Sequence, residues 1–317
     1  MVVSESPSKK IVVLCGGVGA AKLLSGLVTV IDPSEITAIV NTADDTTLHG
    51  LHISPDLDTI TYTLAGEINP RTGWGLKDEG WKALEMVRKY GGIDWFQLGD
   101  RDIGTHLFRT QRLSEGASLQ EVTKEISLAW DIPVSILPVS NDPIRTFVTT
   151  EEGDEIGFQD YFVRLSHNVV VEDVRFNGIE NAKPSKGILE EIELASSVII
   201  APSNPIVSIG PILAVPGIRQ ALRDCRGKVT AISGIVGGKA LKGPADRLLH
   251  ELGYESSVVG VARLYSDISS KLVIDEIDKE DRKKVEQEGV ECVVTNTIME
   301  SPVLAASLCR TVLGLRS

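Results

Sequence analysis

The stretch that most limits what this chain can fold into lies near its start. Lys10-Ile11-Val12-Val13-Leu14-Cys15 runs straight into Gly16-Gly17-Val18-Gly19-Ala20-Ala21-Lys22-Leu23-Leu24. The first half is short, apolar and β-branched, the pattern of a strand covered on both faces. The second half is a glycine-rich turn that flows into a helix with apolar residues at Leu23, Leu24, Leu27 and Val30. Strand, glycine turn and helix together make an anion site: glycine lets backbone N–H groups approach a phosphate, and the helix start adds partial positive charge. A nucleotide diphosphate is the expected occupant. The turn fits neither standard glycine signature. It lacks the spacing of a P-loop, and Ala20, Ala21 and Lys22 stand where a dinucleotide fingerprint places its third glycine. Such a turn also serves plain packing, so the argument needs further strand ends.

Those strand ends recur along the chain. Ile36-Thr37-Ala38-Ile39-Val40 ends in Asn41-Thr42-Ala43-Asp44-Asp45, and Ser54-Pro55-Asp56-Leu57-Asp58-Thr59 follows as a helix start, with Ser54 as its expected cap. Helix capping accounts for one acid there, not for Asp44, Asp45, Asp56 and Asp58 within fifteen residues. Such oxygen donors suit a hard divalent cation, which phosphate chemistry often needs. Ser197-Val198-Ile199-Ile200-Ala201 runs into Pro202-Ser203-Asn204-Pro205, with Ser208 just beyond. Lys228-Val229-Thr230-Ala231-Ile232 runs into Ser233-Gly234. Ligands of open α/β sheets gather at the carboxyl ends of strands, so loops after Cys15, Ala201 and Ile232 are expected to converge on one crevice.

The pattern therefore predicts a Rossmann-like, doubly wound, mostly parallel sheet. Its core would comprise residues 10–58 and 131–317, with a helical insertion at 59–130. Within the insertion Arg101 lies between Asp100 and Asp102, fit for a salt bridge or an anion contact. Trp74 and Trp81 fit core packing or the wall of an aromatic ligand site. Residues 146–150 and 155–164 alternate about Glu151-Glu152-Gly153-Asp154, a hairpin. Strands are further expected near 257–261, 271–274 and 292–295, and a closing helix at 302–313.

Composition narrows the function classes. A net charge of -12 argues against broad nucleic-acid binding. The four cysteines have no metal-ligand spacing, and no apolar run reaches membrane length. The cytoplasm is the expected compartment.

The ordered set Gly16-Gly17-Val18-Gly19 with Lys22, Asn41 to Asp45, Ser54 to Thr59, Gly99-Asp100-Arg101-Asp102 with Thr105-His106, Ser140-Asn141-Asp142-Pro143, Pro202-Ser203-Asn204-Pro205 and Ser208-Ile209-Gly210-Pro211 resembles the 2-phospho-L-lactate transferase family of coenzyme F-420 biosynthesis. The resemblance runs from about Lys10 to beyond Asp246 and weakens in the last sixty residues. It implies transfer of a phospholactyl or phosphoenolpyruvyl group from a guanosine-diphospho-linked donor to a ribityl hydroxyl of the deazaflavin Fo, with magnesium and with release of GMP. It implies that Gly16, Gly17, Gly19, Lys22, Ser203, Asn204 and Ser208 hold the nucleotide and that Asp58 and Arg101 bind Fo. Asp45 and Asp58 would be catalytic, and Asp45 and Asp56 would bind metal. A homodimer without nucleic-acid or membrane partners is expected. The gluconeogenesis-factor-like proteins share the glycine turn and offer the alternative of a nucleotide-sugar-binding regulator. A nicotinamide dehydrogenase is disfavoured by the missing third glycine.

Overall fold

The computed structural model describes residues 10–315. Seven strands form the central sheet: β1 (Ile11–Cys15), β2 (Ile36–Val40), β3 (Ser135–Pro138), β4 (Ser197–Ile200), β5 (Val229–Ile232), β6 (Lys271–Ile274) and β7 (Glu291–Val294). All neighbours pair parallel, in the order β7-β6-β5-β4-β1-β2-β3. The chain winds outward from β1 through β2 to β3, then returns to lay β4 on the other side of β1. This reversal is a topological switch point, and it lies between the glycine turn and the Pro202 loop.

Alternation along β1 explains why an unbroken apolar run suits its place. Val12 and Leu14 enter the apolar cluster on one face, while Ile11, Val13 and Cys15 enter that on the other. Helices cover both faces, as a parallel sheet requires. One face packs α1 (Gly17–Leu27) and the C-terminal helix Pro302–Leu313 through Leu23, Leu24, Leu27, Ala305 and Leu308. The doubly wound architecture is therefore as expected.

Between β2 and β3 lie a hairpin of Thr46–Leu48 with Leu51–Ile53 and the helices α2 (Pro55–Leu64), α3 (Lys82–Lys89), α4 (Asp100–Ser114) and α5 (Leu119–Ala129). His49 and Gly50 turn the hairpin with φ of 54° and 77°, a two-residue turn that keeps the strands in right-handed twist. A second, three-stranded antiparallel sheet (residues 145–177) follows β3. Its expected long second strand stops at Gly157, and a π-helical turn, Asp160–Arg164, takes over.

The strand expected near 257–261 is instead part of the helix Val258–Tyr265. The valines read as β-branched strand, but Ser257 Oγ accepts from the N–H groups of Val259 and Gly260 and starts a helix there. The helix is buried on nearly every side, so its sequence carries no polar face to reveal the 3.6-residue period. Among the described residues, no helix is long and apolar enough to cross a membrane.

Candidate functional site

Three strand ends meet at the switch point, those of β1, β4 and β5; a Cβ added to Gly234, just after β5, would stand 3.2 Å from the Ser203 carbonyl. A Cβ added to Gly16 would stand 2.5 Å from Ser208 Cβ, and one added to Gly19 would stand 2.4 Å from the Pro202 carbonyl. Both glycines are there because two loops pass too close for a side chain. Ser203 Oγ donates to the Gly16 carbonyl at 2.6 Å, joining the β4 end to the β1 end. Asn204 turns its side-chain oxygen to the N–H groups of Ile206 and Val207 and so shapes its own loop. The first turn of α1 carries no acid of its own, and one of its N–H groups, that of Gly17, donates to the carboxylate of Asp56. Lys22 is exposed on the same helix. Gly16, Gly17, Gly19, Ser203 and Ser208 are thus gathered at one place, as expected.

The acids line the adjoining end of β2. Asp56, in the first turn of α2, accepts from Gly17 N–H at 2.8 Å and from Asn41 Nδ2 at 3.0 Å. Asp45 Oδ2 accepts from Ser54 Oγ at 2.8 Å and lies 2.9 Å from His52 Nε2. Ser54 is therefore the N-cap by position only; its hydroxyl serves Asp45 rather than the helix. Asp44 Oδ1 and Asp45 Oδ1 are buried without a hydrogen-bond partner. Burial pushes the Asp44 carboxyl well above its ordinary range, and the neighbouring charge of Asp56 adds to this. Burial likewise raises Asp56 to about 6, against the opposing hydrogen bonds from Asn41 and Gly17. Buried acids that repel one another and leave oxygens unpartnered fit a hard cation held by one or two carboxylates, with the remaining positions left to substrate phosphate.

A second polar cluster joins α2 to α4. Arg109 donates to both carboxylate oxygens of Asp58, from Nη1 at 3.2 Å and from Nη2. Tyr62 OH donates to Asp102 Oδ1 at 2.6 Å. His106 lies between the two pairs, 3.7 Å from Asp58 and 3.3 Å from Asp102. Among the described residues, Asp58, Asp102 and His106 are the one group of three whose ligand atoms converge within 4.8 Å. The guanidinium of Arg109 already supplies the positive charge there.

Arg101 stands elsewhere. Its side chain is 40% exposed and donates to the Lys77 carbonyl at 2.7 Å and to Glu67 at 3.0 Å, while Glu79 caps the start of α4 by accepting from the N–H groups of Arg101 and Asp102. The arginine brought to Asp58 is Arg109, which sequence reasoning missed. A signal was present: Asp102, His106 and Arg109 fall at i, i+4 and i+7, one polar stripe on an otherwise amphipathic helix. Gln159 was also missed; its Nε2 donates to the Asp44 carbonyl and ties the small sheet to the acidic loop.

Known proteins share the fold and the family. In the Bacillus halodurans protein described as a member of the UPF0052 family, two solved structures superpose with TM-scores of 0.63 and 0.65 at 20% identity, each covering 96% of this chain and 99% of that one, a likeness of fold. The phosphoenolpyruvate transferase of Kitasatospora aureofaciens is 42% identical over 312 residues, which cover 96% of this chain and 97% of the relative. That of Nocardia farcinica is 40% identical over 320 residues, covering 99% and 96%. Residues 11–308 match the family described as 2-phospho-L-lactate transferase CofD, and the chain belongs to that family.

Proposed function

We propose that the protein transfers a phosphoenolpyruvyl group from a guanosine-diphospho-linked donor to the ribityl hydroxyl of Fo, in coenzyme F-420 biosynthesis. Family membership supports the transfer, and the relatives' name, phosphoenolpyruvate transferase, favours the enolpyruvyl over the lactyl donor. The observation that carries the reading is the adjacency of two unlike sites. The start of α1, walled by Gly16, Gly19, Ser203 and Ser208, adjoins a buried carboxylate cluster across the hydrogen bond from Gly17 N–H to Asp56.

In this reading the glycine turn, Lys22, Ser203, Asn204 and Ser208 hold the guanosine diphosphate. The Fo hydroxyl oxygen attacks the phosphorus bearing the enolpyruvyl unit, the bond from that phosphorus to the GMP oxygen breaks, and the hydroxyl proton passes to Asp58 and from there to water. Asp58 accepts a hydrogen bond from that hydroxyl and orients it; each of its oxygens keeps a lone-pair direction beyond the one given to Arg109. Asp45 and Asp56 would hold magnesium, which would supply charge stabilisation to the phosphate oxygens. Arg101 is assigned to the acceptor at the exposed rim. The working unit is proposed to be a homodimer in the cytoplasm.

Mass spectrometry of the protein incubated with magnesium, Fo and each guanylylated donor tests the reading. Product and GMP from the enolpyruvyl donor are expected. Binding of guanine nucleotide without product from either donor would favour the nucleotide-binding regulator.

A further inference from the structure

Apart from Asp58, the transfer reading gives no task to the ladder of buried polar side chains between α2 and α4. Asp58 and Tyr62 stand one turn apart on α2, facing Asp102, His106 and Arg109 on α4. All five are buried, His106 to 1% exposure. Apolar packing of this region comes from other residues: Leu57 and Ile60 carry α2 onto the sheet. A buried ionic ladder is a poor source of stability, because apolar residues of similar volume often serve as well or better. What such a ladder does supply is fixed geometry.

His106 decides that geometry. Its Nδ1 lies 3.3 Å from Arg109 Nη1. A guanidinium can only donate, so Nδ1 accepts, and in the neutral ring the proton sits on Nε2. Nε2 stands 3.3 Å from Asp102 Oδ1 but off the hydrogen-bond axis, and is otherwise unpartnered. Arg109 Nε is also buried without a partner. The guanidinium is therefore held by Asp58 and His106, with only a long 3.5 Å contact to the His52 carbonyl besides. Without His106 the Arg109–Asp58 pair could swing as a unit.

We propose that His106 is a positioning residue: by accepting at Nδ1 from Arg109, it fixes the guanidinium and with it the Asp58 carboxylate offered to the acceptor hydroxyl. This rests on the transfer reading. Asp102 and Tyr62 form the far anchor of the same ladder.

The experiment compares His106→Leu, His106→Asn and His106→Gln in steady-state transfer, below each variant's unfolding temperature. Asparagine can present its carbonyl oxygen near the Nδ1 position, whereas glutamine reaches the Nε2 position. His106→Leu is expected to lower kcat by about 10- to 100-fold, the scale of a displaced reacting group, with KM for the guanosine-linked donor unchanged. His106→Asn should recover most of that loss and His106→Gln little of it. The imidazole 15N spectrum of the parent protein should show Nε2 protonated and Nδ1 bare. A folded His106→Leu protein with parental kcat, losses that follow thermal stability alone in all three variants, or a proton on Nδ1 would overturn the role. If the parent itself yields no product from either donor, the transfer reading fails and takes this role with it. Product from the parent with unchanged His106→Leu overturns the role alone.

Discussion

Arg109 on α4 grips both carboxylate oxygens of Asp58 on α2, although 51 positions separate them in the chain. The pair is buried and ties α4 to α2, the helix that begins at the acidic cluster. Removing one member leaves the other charge buried and uncompensated. Arg109→Leu is therefore expected to cost about 3–5 kcal/mol, read from urea unfolding. Arg101→Ala, which breaks only exposed contacts with Glu67 and the Lys77 carbonyl, should leave the midpoint nearly unchanged. Equal effects would show that the buried pair carries no special weight.

The close approach at the switch point predicts a compensating pair of substitutions. Gly16 has extended backbone (φ −155°), so alanine there meets a steric objection only, the Ser208 Cβ at 2.5 Å. Gly16→Ala should weaken GDP binding by tenfold or more in calorimetry, which is about 1.4 kcal/mol. Gly16→Ala with Ser208→Gly should recover part of the loss. No loss in the single variant would place the nucleotide elsewhere.

The acids predict how a cation affects stability with pH. Asp56 titrates higher in the folded protein, about 6 against the ordinary 3.8, and Asp44 is raised as well. A raised folded value means that the native state binds the proton more tightly. The stabilisation from protonating Asp56 is full below about 3.8 and is lost as pH rises through about 6, and Asp44 acts in the same direction. Magnesium competes for the ionised forms, so its stabilising shift in unfolding temperature should grow from pH 5 to pH 7. A shift independent of pH, or absent in the parent and in Asp45→Asn alike, would remove the acids from cation binding.

Much of this architecture is legible in the sequence, because β1 and β4 are short apolar runs that end in residues with few other uses. The crossing of Gly16 with Ser208 and of Gly19 with Pro202 was foreseeable as convergence, though not as contact. The helix at Val258 was hidden because it is buried on nearly every side and shows no polar face. Arg109 was hidden for a different reason. Arginine next to an acid in sequence, as Arg101 is, draws attention, whereas the partner of Asp58 is set by the packing of α2 on α4. Ser54 was read locally as a helix cap, and a tertiary partner, Asp45, took its hydroxyl.

In the proposed transfer, one crevice holds the guanine nucleotide and a separate carboxylate, that of Asp58, handles the acceptor. Asp58→Asn separates them. Measured on the same folded variant, transfer to Fo should fall by roughly 100- to 10,000-fold, the scale of lost acid–base and positioning help, while GDP affinity stays at the parental value. Parental turnover by Asp58→Asn, or a loss of GDP affinity equal to the loss of turnover, would contradict the account.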